Sequence, residues 1–107
     1  MAKKENKFQK ELKYKIQKRF PDCIVMKNNA FEIQGIPDLL ILYKDKWAAL
    51  ECKRSARAKH RPNQDYWVDK LNELSFSAFI YPENKQEVID EMVGFFKGIP
   101  TRKSHAI

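Results

Sequence analysis

The stretch Gly35–Lys53, GIPDLLILYKDKWAALECK, constrains the fold of this chain more than any other. Two apolar runs, Leu39–Tyr43 and Trp47–Leu50, flank the polar triplet Lys44-Asp45-Lys46. Runs of this length, rich in Leu, Ile and aromatics and split by a short polar turn, predict a β-hairpin. Their apolar residues do not alternate strictly with polar ones, so both faces are expected to be covered and the hairpin to lie mid-sheet. Three polar groups interrupt it: Asp38 opens the first strand, and Glu51 and Lys53 close the second. Folding the hairpin about Asp45 pairs residues whose numbers sum to roughly 90, which sets Asp38 opposite Glu51–Lys53. Glu51 and Lys53 are two apart, so their side chains leave the same face of the strand. Two carboxylates and an ammonium then converge at one end of an apolar sheet.

A buried carboxylate pair repels itself and loses hydration unless a cation or a proton compensates. One or two carboxylates are the hard oxygen ligands that Mg²⁺ takes while keeping waters and a phosphate. A lysine beside such an ion can stabilise developing negative charge or position an attacking water. The spacing is equally compatible with a strand-end salt bridge, Asp38 or Glu51 with Lys53, that only caps the sheet.

Pro37-Asp38, followed after the hairpin by Glu51-Cys52-Lys53, resembles the PD-(D/E)XK nuclease motif. Within that superfamily the flanks are most similar to the VRR nucleases, the virus-type replication-repair family. Those show an early helical Glu, a Gly-x-Pro-Asp-Leu segment, an apolar-Glu-x-Lys segment and a Gln opening the next helix. The matching residues are Glu5 in ENKFQKEL, Gly35-Ile36-Pro37-Asp38-Leu39, Leu50-Glu51-Cys52-Lys53 and Gln64 in RPNQDYW, so the resemblance runs from Glu5 to Tyr81. One departure follows Lys53, where a glycine-bearing segment is expected and RSARAKHR stands. The resemblance implies an α/β fold of the three-layer, restriction-endonuclease-like type, with a mixed sheet of about four strands flanked by helices. It also implies a Mg²⁺-dependent DNA endonuclease, with Mn²⁺ able to substitute, acting on branched or otherwise structured DNA and of virus or phage origin. Asp38 and Glu51 would hold the metal, with the backbone carbonyl of Cys52 as a further ligand and Glu5 ligating directly or through water. Lys53 would orient or activate the nucleophilic water, and Gln64 would contact the carboxylates or the substrate phosphate. The competing reading is a nucleic-acid-binding module that keeps the fold without catalysis; its mark would be a damaged site, and Asp38, Glu51 and Lys53 are all intact.

At 107 residues, 43% hydrophobic and 12% aromatic, the chain suits one globular domain, taken as 1–97 with a tail over 98–107. No apolar run reaches the roughly 18 residues of a membrane span, and the lysine-rich start lacks a signal-peptide core, so a cytoplasmic protein is expected. The two cysteines have no CxxC spacing, which gives neither a zinc site nor a disulfide framework. Cys52 is expected to point away from Glu51 and Lys53 into the core, and Cys23 to stay reduced.

A net charge of +7 and a pI near 9.5 favour a polyanionic partner, here DNA. Residues 1–20 carry eight Lys/Arg against two Glu, and Lys53–Arg61 carries five more with no acid. The candidate phosphate contacts are Lys3, Lys4, Lys7, Arg54, Arg57, Lys59, His60 and Arg61, two basic blocks flanking the carboxylates. So small a domain does not span both strands of a duplex, so a homodimer is expected if both are cut.

Along the chain, Phe8, Leu12, Ile16 and Phe20 predict a helix over about Glu5–Arg19 with one buried stripe. At 100° per residue Glu5 falls within that stripe and Glu11 well outside it. Cys23–Lys27 reads as a short strand, and Asn28-Asn29 as a turn or bulge before Phe31–Ile33. Gly35 is expected to take a backbone angle that other residues resist. Arg54–Arg61 has no periodicity and reads as a flexible basic loop. A second helix is expected over Pro62–Leu74 with Trp67, Leu71 and Leu74 facing the core, then a strand Phe76–Tyr81. The third helix, Glu83–Lys97, should bury Val88, Ile89, Met92, Val93 and Phe96. No small-molecule cofactor is implied, and His105 has no expected role.

Overall fold

Phe8, Leu12, Ile16 and Phe20 are all buried, and this four-residue repeat fastens the first helix, α1 (Ala2–Arg19), to the sheet. The computed structural model describes residues 2–29 and 31–99, and of residues 2–5 only their place in α1. The expectations for Glu5, Lys3, Lys4 and His105 therefore fall outside the described side chains.

The chain is α/β. Four strands, β1 (Ile24–Lys27), β2 (Leu39–Tyr43), β3 (Lys46–Cys52) and β4 (Phe76–Ile80), form one mixed sheet in the order β1-β2-β3-β4. The first three are antiparallel neighbours, and β4 joins β3 in parallel after the crossover helix α2 (Gln64–Leu74). The hairpin β2–β3 thus lies mid-sheet, as its two apolar faces require. Its turn is shorter than expected: Tyr43 pairs with Lys46, leaving Lys44-Asp45 as a two-residue connection. Lys44 takes φ 56°, which closes the turn and frees Lys46 to extend the strand.

Strand alternation sorts the side chains into two layers. Leu39, Ile41, Ala48, Leu50, Cys52, Phe76 and Ile80 face α1 and α3 (Lys85–Phe96), and with them make the core. All five α3 positions expected inside are buried. Phe20, Tyr43 and Phe96 close the hairpin-turn end of this layer with ring centroids 4.9–5.6 Å apart. The other sheet face carries Ala49, Glu51 and Ser77, and there α2 docks.

Here the sequence reading of α2 needs correction. Leu74 is 65% exposed, Trp67 and Leu71 are half-buried, and the buried positions are Gln64 and Val68. The reason is polar. Gln64 bonds Glu51, Asn72 accepts the Ser77 N–H, and the Ser75 hydroxyl donates to the Trp47 carbonyl. Positions 64, 68, 72 and 75 make one helical stripe, and these bonds turn it, rather than the apolar one, onto the sheet. After Asn28-Asn29, Phe31–Ile33 lies in turn and bend conformation, with Phe31 fully exposed. No helix among the described residues is long and apolar enough to cross a membrane.

Candidate active site

The strand register brings the sequence-predicted residues together. Leu39 pairs with Leu50, so one step further Asp38 lies across from Glu51. Asp38 is fixed from both sides. Its Oδ2 accepts the Cys52 N–H at 2.9 Å, and its carbonyl accepts the Asn28 N–H at 2.8 Å. Asn28 also donates through its side chain to the Pro37 carbonyl at 2.9 Å. The β3 chain then continues past Cys52 with the Lys53 N–H donating to the Ile80 carbonyl at 2.9 Å. That bond holds Lys53 in strand register, so Glu51 and Lys53 leave the same face while the Cys52 thiol enters the core. Only the backbone of Cys52 is left to face the acidic end.

Glu51 and Lys53 are each 3% exposed. The ion pairs among the described residues do not include Lys53, so the capping salt bridge that the spacing allowed is not formed. Instead its Nζ donates to the Lys59 carbonyl at 2.9 Å. An ammonium carries three donors, so this bond leaves two for other partners.

Gln64 sits where the sequence put it, in the first turn of α2, 8% exposed. Its Oε1 accepts the Arg61 N–H at 2.8 Å, which fixes the amide orientation, and Nε2 donates to Glu51 Oε2 at 2.9 Å. The strand carboxylate and the loop are thereby joined through one side chain. The loop itself is pinned rather than free. Ala58 is buried, Ala56 N–H bonds Glu83, and His60 stacks on Phe79 at 4.0 Å with Nδ1 2.7 Å from Asp65. These anchors, two of them from Phe79 and Glu83 far along the chain, leave no trace in the periodicity from which a flexible loop is expected.

A cavity of about 310 Å³ opens at this end, lined by Asp38, Glu51, Lys53, Arg61 and Gln64 with Phe31 and Gly35 on its rim. Gly35 has φ +87°, and a Cβ there would meet the Asn63 backbone at 2.7 Å. Only glycine permits the Pro37-Asp38 segment to lie against the α2 N-terminus, where Asn63 itself takes φ 71°.

Of the expected phosphate contacts, Arg61 reaches this cavity. Arg54, Arg57 and Lys59 are exposed on the adjoining loop, and Lys7 lines a different cavity on α1. Asn28, Asp65 and the Lys59 carbonyl escaped the sequence reading. For Asn28 the polar pair before an apolar run was a signal, whereas the other two depend on how the loop docks.

Among the described residues no three His, Cys, Asp or Glu side chains gather into a metal-holding group. Asp38 and Glu51, two carboxylates at a cavity with room for waters, fit an ion that takes one or two protein carboxylates, as Mg²⁺ does. Comparison with family models, with curated proteins and with solved structures finds no match to this chain.

Proposed function

We propose that this chain is a Mg²⁺-dependent DNA endonuclease, similar to the VRR branch of the PD-(D/E)XK nucleases, that hydrolyses phosphodiester bonds. One observation carries the reading: Asp38, Glu51, Lys53 and Gln64 line one cavity with Arg61, and buried Lys53 is held by a carbonyl instead of either carboxylate. A sheet cap would have used the lysine to neutralise the acids. A lysine kept apart from them serves something that enters the cavity.

Asp38 and Glu51 would hold the metal, and the Cys52 carbonyl stands next to them in the chain. What Mg²⁺ contributes when bound is Lewis-acid stabilisation of the charge on the scissile phosphate. The protein supplies the rest. Gln64 fixes the Glu51 carboxylate through Oε2, and its own orientation is fixed by Arg61 N–H. The two remaining Lys53 donors are available to a water or a phosphate oxygen, and the Arg61 guanidinium to a phosphate. The DNA substrate is branched or otherwise structured, a homodimer serves if both strands are cut, and the compartment is the cytoplasm.

The test is incubation with linear, nicked, flapped and four-way DNAs with Mg²⁺, with Mn²⁺ and with chelator. Metal-dependent cleavage of at least one structured substrate is expected. Binding without cleavage under both metals would replace the enzyme with a nucleic-acid-binding module.

A further inference from the structure

A second cavity, of about 570 Å³, lies on the other side of the sheet between α1 and the end of β1. Its described lining is Asn6, Lys7, Gln9, Lys10, Lys13 and Lys27: four ammonium groups, two amides and no carboxylate. Lys27 is two residues from core-packed Val25, so it leaves β1 on the α1 face, and it pairs with Leu39 beside Asp38. The cavity therefore sits at the same end of the sheet as the acidic pair, on the opposite face.

Gln9 makes this more than a lysine-rich surface. It is 8% exposed, lines the cavity, and makes no hydrogen bond among the described residues. The residue is buried but its amide opens to the hollow, so a phosphate oxygen entering there would accept from Nε2. Four like charges around one hollow also repel one another until an anion enters.

We propose that this cavity binds a phosphodiester segment of the nucleic acid whose neighbouring segment lies at the Asp38–Glu51 end. The volume exceeds one phosphate, which favours consecutive backbone groups over a single ion. No aromatic ring is among its described lining residues, which offer bases nothing to stack on. The site holds backbone and reads no sequence. That the anion is nucleic acid rests on the nuclease reading, whereas the anion site itself rests on Gln9 and the four lysines.

The experiment uses the full chain in chelator, so that cleavage plays no part. Lysine acylation is mapped by mass spectrometry with and without a DNA oligonucleotide, and with inorganic phosphate alone. DNA should protect Lys10, Lys13 and Lys27 and leave Lys70 and Lys97 reactive. Equal protection by inorganic phosphate would overturn the polymer assignment, and unchanged reactivity of the three lysines would overturn the site. In parallel, Lys10→Ala/Lys13→Ala/Lys27→Ala should reduce the slope of log K against log salt by about 2 on single strands, roughly 0.7 for each lost contact. The control Lys70→Ala/Lys85→Ala/Lys97→Ala removes the same charge from α2 and α3; an equal slope change there would show general attraction and defeat the proposal. Protection without metal-dependent cleavage in the DNA panel would leave this site standing and sink the nuclease. Cleavage with those lysines unprotected would do the reverse.

Discussion

Asp38 and Glu51 each accept an N–H, from Cys52 and from Gln64, and an amide oxygen can accept the same bonds. Asp38→Asn and Glu51→Gln should therefore keep the fold, with melting temperatures within a few degrees. Cleavage should fall at least the roughly hundredfold typical of a lost catalytic group; full activity in either variant contradicts the assignment. Lys53→Met separates charge from shape. A buried ammonium held by one carbonyl bears a desolvation cost that a thioether does not. Stability should hold or rise while cleavage is lost, and thermal melting alongside a cleavage assay reads both. Gly35→Ala should do the opposite kind of damage. The φ of +87° and the 2.7 Å approach to Asn63 backbone leave a methyl no room, and a strained residue costs about 1–3 kcal/mol. At this size each kcal/mol moves the melting point by about 4–8 °C, so an unshifted melt would show that the loop yields freely.

At the scale of elements, α1 allows a comparison within one helix. Glu11 is exposed, as its angle relative to the Phe8–Leu12–Ile16 stripe requires, and Glu5 is the acid of this helix that the proposed site calls for. Glu5→Gln should cut the proposed cleavage about a hundredfold, most at low Mg²⁺; Glu11→Gln should leave the rate alone or tighten DNA binding slightly. A dead Glu11 variant would mean the helix register is misread. α1 and α3 were legible in the sequence because each lays a contiguous apolar stripe on one sheet face. α2 was not: its docking edge is Gln64, Asn72 and Ser75, and Trp67, Leu71 and Leu74 advertised the adjacent face. Hydrophobic periodicity locates a helix but misorients it when polar bonds hold it. The acidic end was legible for a different reason, since strand parity and one turn fix Asp38, Glu51 and Lys53 together. Lys59, Asp65 and the pinned loop were not, because an aperiodic segment does not show which way its side chains and carbonyls turn, and Phe79 and Glu83, which hold it, lie far along the chain.

For the molecule as a whole, Cys23 and Cys52 are buried thiols outside any disulfide, and both belong to the core. Burial pushes the Cys23 thiol up, its own backbone hydrogen bond opposes this and the Asp22 charge adds to it. Little Cys23 thiolate forms near neutral pH and Cys52 is only 1% exposed, so disulfide reagents should label neither residue until the fold opens. Labelling rates in rising denaturant should follow the melting curve; fast labelling of the native chain would show a core looser than described. The sheet topology also sets an order of events. Asp38, Glu51 and Lys53 lie on a hairpin of neighbouring strands, whereas β4 pairs with β3 only after α2 has crossed over. Local pairings form early and parallel ones late. A growing chain thus displays its acidic pair before it has Gln64 to lock Glu51 in place. The Lys59 carbonyl that tethers Lys53 is likewise set only when the loop docks on α2 and β4. The hairpin alone therefore does not complete the site: Glu51 and Lys53 gain these partners only from segments made after it.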